Sequence, residues 1–119
     1  MKKMGWIIGV FMVSLLSAGC VTLGGDMAYS NRGYEEICQD NCEKAEGYLK
    51  RALEINPNNP YALLNMGVVY QKTGRPEMAR KMYQKVIDLE AKEPAQRSNE
   101  DWAKGKSLAD IAKKNLETL

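Results

Sequence analysis

The residues best equipped for chemistry in this chain are its three cysteines, and they come without the usual helpers. Cys20 ends an apolar run and Cys38 and Cys42 stand four apart in EICQDNCEKA, yet the 119 residues include no histidine. Two neighbouring thiols do not complete the four-ligand set that zinc takes, so neither a metal nor a cofactor is expected. A general base would have to be a carboxylate, lysine or tyrosine held at a displaced pKa. The carboxylate clusters are Glu35 with Glu36, Glu43 with Glu46, and Glu100 with Asp101. Each reads more simply as a solvated helix face or a helix-start charge. Gly24-Gly25 makes no phosphate loop, and the chain is not expected to be an enzyme.

The surroundings of Cys20 suggest a different use for a thiol. Lys2 and Lys3 precede an uncharged run from Met4 to Gly25, most apolar between Trp6 and Leu16. That is the layout of a secretory signal, although an uncut run of roughly 20 such residues could also span a bilayer. Leu16-Ser17-Ala18-Gly19-Cys20 resembles the lipobox of bacterial lipoproteins, with Ser17 where a bulky residue is usual and Leu16 one place further back. The resemblance implies that the thiol of Cys20 is acylated and that residues 1–19 are removed. Two or more acyl chains would then anchor the chain stably. Val21, where an inner-membrane retention signal would be Asp, implies the outer membrane, facing the periplasm, if the host is Gram-negative. Residues 20–26 would form a lipid-anchored tether.

Removal of Lys2 and Lys3 takes the chain from 17 basic and 15 acidic residues to 15 of each. A neutral mature chain has no field to attract nucleic acid, which is not expected as a partner. Export would also put Cys38 and Cys42 in an oxidising compartment, where thiol pairs tend to close. The turn-favouring residues Gln39-Asp40-Asn41 between them could bring the Cα atoms within the ~4.4–6.8 Å that a disulfide requires. The expectation is a staple between two helices; a redox pair would more often read C-x-x-C.

Positioning these groups falls to helices. In NNPYALLNMGVVYQKTGRPEMARKMYQKVIDL, apolar and small residues recur at helical spacing in two blocks, over about Tyr61–Lys72 and Glu77–Glu90. Asn59-Pro60 starts the first, Thr73-Gly74-Arg75-Pro76 separates them, and Pro76 suits the first position of the second. So short a turn makes an antiparallel hairpin. Leu63, Met66, Gly67, Tyr70, Gly74, Ala79 and Tyr83 stand at the spacing of the tetratricopeptide repeat, which the chain resembles over roughly residues 27–92. One period earlier, Ala45, Leu49, Ala52, Ile55 and Pro57 continue a second copy. Its first helix looks eroded, because Arg32 and Glu36 replace an apolar residue and a tyrosine. Gly67 and Ala79 would be small where helix axes approach, with Tyr70 and Tyr83 filling the space between hairpins.

The fold class expected is therefore all-α, with about two repeats and a C-terminal capping region over residues 93–119. Ser98 with Asp101 and Ser107 with Asp110 read as helix starts. Leu108, Ile111, Ala112, Leu116 and Leu119 line one face of a terminal helix, with Trp102 before it as an apolar plug. About three repeats are usually needed for stability, so self-association or a partner is expected to add to these two. The resemblance implies a concave groove for a protein or peptide partner, with Tyr61, Leu64, Asn65, Val68 and Lys72 on its face. It implies a membrane-anchored interaction scaffold of the bacterial envelope. The alternative is a structural, self-assembling subunit of a larger envelope complex, such as secretion or cell-wall machinery.

Overall fold

The computed structural model describes residues 24–95, 98 and 100–119. Cys20 and the signal-like run lie outside them. Five helices follow in order: α1 (Gly25–Cys38), α2 (Cys42–Ile55), α3 (Pro60–Lys72), α4 (Pro76–Asp88) and α5 (Leu108–Glu117). A single 3₁₀ turn at Asp101–Ala103 precedes the last. Helices α1 and α2 form one hairpin and α3 and α4 another, α2 packs on α3, and α5 lies against α4 and α3.

The two hairpins are built by the same local rules. After α1, Asp40 takes a left-handed conformation (φ 63°), and the N–H groups of Asp40 and Asn41 donate to Ile37 O and Glu36 O at 3.0 and 2.8 Å. One 34-residue period later Gly74 (φ 72°) occupies that place after α3. There Gly74 and Arg75 donate to Gln71 O and Tyr70 O at 3.3 and 2.8 Å. This bond pair is the Schellman closure, which satisfies orphan helix carbonyls and turns the chain. The closure recurs after α4 with Glu90 (φ 51°), which ends the helix two residues before the expected Glu90.

Helix starts are fixed by capping. The Asn59 side chain accepts from the Ala62 N–H at 3.0 Å and is itself buried, with Pro60 in the first helical position. Ser107 caps α5 through the Asp110 N–H at 3.2 Å, as its sequence signal anticipates. Ser98 does not start a helix: its hydroxyl accepts from the Glu100 N–H, and only the 3₁₀ turn follows. A lone short turn leaves no room for the intrahelical bonds that Ser98 and Asp101 would have capped. Helix α1 begins at Gly25, two residues before the boundary expected for the repeats. Asp26 lies in the first turn of α1, and its carboxylate accepts from the Asn59 and Asn56 amides at 2.9 and 3.2 Å.

The core runs along the seams. Ala45, Leu49, Ala52, Leu63, Val69, Ala79, Tyr83 and Val86 have no exposed surface. Gly67 lies so close to the Tyr83 ring that an added Cβ would sit 2.4 Å from Cε1, and Gly33 faces Leu49 in the same way at 2.5 Å. Both pairs are one period apart, so the sequence repeat is a repeat of close helix approach within each hairpin. Tyr83 therefore fills space inside its own hairpin, against Gly67, rather than only between hairpins. Its hydroxyl donates to Gln71 Oε1 at 2.8 Å, and burial pushes the phenol pKa up while an Asn115 hydrogen bond opposes the shift.

Candidate functional site

Arg75 ties the hairpins to each other and so fixes the relative placement of α1 and α3. Its guanidinium donates to both carboxylate oxygens of Glu46 on α2 at 3.0 and 2.8 Å and lies 4.6 Å from the Tyr70 ring centroid. Planarity allows one side chain to form both contacts. The hydrogen bonds from Arg75 hold Glu46 below its ordinary pKa of 4.5, against a smaller opposing effect of burial.

With the hairpins so held, α1, α3 and α5 face one groove of about 400 Å³. Helix α1 contributes Met27, Ser30, Asn31, Tyr34 and Ile37; α3 contributes Tyr61, Leu64, Asn65, Val68, Gln71 and Lys72. These are the same positions of successive repeats, 27 matching 61 through 37 matching 71, because i, i+3, i+4 and i+7 lie on one helix face. Leu108, Ile111 and Asn115 of α5 form the third wall. The volume falls within the ~300–1,000 Å³ typical of ligand pockets.

All five residues assigned to the groove from sequence, Tyr61, Leu64, Asn65, Val68 and Lys72, are on its wall. Sequence reasoning missed the α1 residues and the segment between α4 and α5. The α1 stripe had a signal, the 34-residue register itself, which was obscured by Arg32 and Glu36 on other faces. The connecting segment had none, since its placement depends on tertiary contacts. Ala95 donates to Lys106 O at 2.9 Å and Leu108 to Glu93 O at 2.9 Å, which sets residues 93–95 against residues 106–108. The Tyr61 hydroxyl donates to Pro94 O at 3.3 Å at the edge of the groove. Burial, with the nearby charge of Glu93, raises the Tyr61 pKa.

Trp102 is not the expected plug. It remains 37% exposed and lines the groove, with the Lys114 ammonium 5.4 Å from its ring centroid; the adjacent Ala103 is the buried residue. A 3₁₀ turn points successive side chains in different directions, and the small one faces the core. The Lys72 ammonium lies 3.4 Å from Asp40, between exposed side chains. Cys38 closes α1 and Cys42 opens α2, on either side of the Schellman turn. Among the described residues no group of acidic, cysteine or histidine side chains could hold a metal ion, and no helix is long and apolar enough to cross a membrane.

A stack of helical hairpins whose first helices line a shared groove defines a helical-repeat protein built to hold another chain. The tetratricopeptide repeat family model matches residues 39–98, and the chain belongs to that family. Its members typically serve as protein-interaction modules rather than enzymes. The chain is also 30% identical over 91 residues to the type IV pilus assembly protein PilF of Pseudomonas aeruginosa. That match covers 66% of this chain and 36% of the relative, so the chain spans about a third of the length of that protein.

Proposed function

We propose that this protein is a lipid-anchored scaffold of the bacterial cell envelope that holds a protein partner in the groove between α1, α3 and α5. The observation that carries the reading is the groove itself: three helices from different parts of the chain direct a mainly apolar set of side chains, interrupted by amides, to one concavity. Such a surface suits a peptide or helix of another protein. The lipobox-like Cys20 supports a place at the membrane, and the resemblance to a pilus assembly protein supports the envelope. The acyl chains would hold the groove near the bilayer, where an envelope partner is concentrated.

Affinity capture from host membranes with the wild-type chain and a Val68→Arg variant tests the partner reading. Val68 is half-buried in the groove wall, where a cation would be set among apolar side chains. A partner captured by the wild type and lost by the variant, with unchanged helicity, supports the groove; equal capture refutes it. Intact mass of the membrane-purified chain beside Cys20→Ser tests the anchor separately.

A further inference from the structure

Away from the groove, the outward face of the first hairpin carries a second concavity. Tyr29 and Glu36 of α1 and Lys44, Gly47, Tyr48 and Arg51 of α2 line a shallow depression. Arg32, exposed, stands between Tyr29 and Glu36 on the same helix face, three residues after one and four before the other. One period later Leu63, Met66 and Tyr70 hold the places of Tyr29, Arg32 and Glu36, and all three are buried in a helix on which α2 packs. Gly47 is the sharper signal. The mid-helix glycines of α1 and α3, Gly33 and Gly67, each admit a large side chain of the neighbouring helix, whereas the Cβ position of Gly47 has nothing within 4 Å. Glycine inside a helix is destabilising relative to alanine, and no contact among the described residues requires it at 47. The rings of Tyr29 and Tyr48, 6.4 Å apart, border the notch that it leaves.

We propose that this face joins a second copy of the chain in a two-fold dimer, with α1 of each copy lying antiparallel on α2 of the other. Within a hairpin Gly33 faces Ala45 and Leu49, which sets Glu36 level with Lys44, Arg32 with Tyr48 and Tyr29 with Arg51. A two-fold axis parallel to the helices preserves these levels and exchanges the copies. Glu36 then meets Lys44 of the second copy, Arg32 enters the notch at Gly47 over the Tyr48 ring, and Tyr29 meets Arg51, each contact made twice. An axis across the helices would instead set Lys44 against Arg51, two cations. The face is not otherwise charged: Arg51 is paired with Glu54 at 3.1 Å, and the exposed Glu35, Glu43 and Lys50 do not line the depression. Other residues of α1 line the groove, so each copy keeps it open. Two hairpins from each copy also give the assembly more than the about three repeats that a stable array needs. The parallel axis leaves both N-termini at one end, where two Cys20 anchors reach one bilayer; this last point alone rests on the anchor reading above.

Sedimentation of the full, membrane-purified chain in density-matched detergent micelles reads the assembly. The wild type is expected to be a dimer at micromolar concentration. Gly47→Leu fills the notch from an open Cβ position, so it should weaken the dimer at least about tenfold with helicity unchanged. Lys44→Glu opposes two carboxylates and should weaken it similarly, and Lys44→Glu combined with Glu36→Lys should restore it. A photo-reactive benzoylphenylalanine in place of Arg32, in a mixture of isotope-labelled and unlabelled copies, should cross-link between copies into the Lys44–Arg51 stretch of α2. A monomer throughout, a dimer that Gly47→Leu and Lys44→Glu leave intact, a charge swap that fails to restore it, or cross-links into α1 of the second copy would overturn the inference. Intact mass of the same preparation keeps the two readings apart: a dimer of unacylated chains removes the anchor and leaves the face, and an acylated monomer does the reverse.

Discussion

The same substitution at two glycines of this fold is expected to have opposite signs. Gly67 in α3 meets the Tyr83 ring so closely that a Cβ would lie 2.4, 2.7 and 2.9 Å from three ring carbons. That ring has no exposed surface and its hydroxyl is fixed on Gln71, so it has nowhere to move. Overpacking of this kind costs about 1–3 kcal/mol, and a confined aromatic ring puts Gly67→Ala near the upper end. Helix propensity returns about 1 kcal/mol, which leaves a net loss of about 2 kcal/mol. Gly47 in α2 has open space where its Cβ would be, so Gly47→Ala collects only the propensity term and gains about 0.5–1 kcal/mol. At about 4–8 °C per kcal/mol for a domain of this size, the first variant should lose about 8–16 °C in Tm and the second should gain a few degrees. Thermal and urea unfolding followed by circular dichroism would measure both. Shifts of the same sign and size at the two positions would refute the claim that close approach of α3 and α4 selects glycine at 67.

Other perturbations follow from single contacts. Glu46 has a lowered pKa in the fold, so its contribution is complete above about 4.5 and is lost as pH falls through the folded-state value. The stability advantage of the wild type over Glu46→Gln should therefore shrink from pH 6 toward pH 3, as urea midpoints across that range would record; a constant difference would argue against the Arg75 pairing. Glu90→Gly relieves a left-handed glutamate at the α4 closure and should stabilise by about 1 kcal/mol, while Gly74→Ala introduces that strain and should cost about as much. Opposite signs in a denaturant titration are the check. In membranes purified under oxidising conditions, Cys38 and Cys42 should resist alkylation until reduced; modification of both before reduction would dismiss the staple.

The second hairpin was legible because its sequence obeys local and tertiary demands at once. Asn59-Pro60 caps, Gly74 turns, Gly67 yields to Tyr83, and each requirement singles out a residue type. The first hairpin looked eroded for a physical reason. Arg32 and Glu36 hold the positions of Met66 and Tyr70, which are buried; Tyr70 is covered by Arg75, reaching from its own turn to Glu46 on α2. Arg32 is exposed on α1, so a polar type fits there. The groove was half legible: one helix face can be read from periodicity, but the opposite walls come from a 34-residue translation and from α5. The pairing of residues 91–95 with the start of α5 rests on backbone bonds such as Ala109 to Ala91 O at 3.0 Å, which carry no side-chain signature. Trp102 was misread because burial in a one-turn 3₁₀ segment depends on the residue beside it.

The bond from Asp26 to Asn59 has a mechanical consequence. Asp26 is the second residue of α1, and Asn59 is the cap of α3, so a pull on the chain ahead of Gly24 is shared with the start of the second hairpin from the outset. Tension enters across a carboxylate–amide clasp loaded in parallel with the first turn of α1, and the helix need not unravel residue by residue to transmit it. A tug from the N-terminal side would shift both groove-lining helices together as a unit, and the groove would keep its shape under load until the clasp gives way.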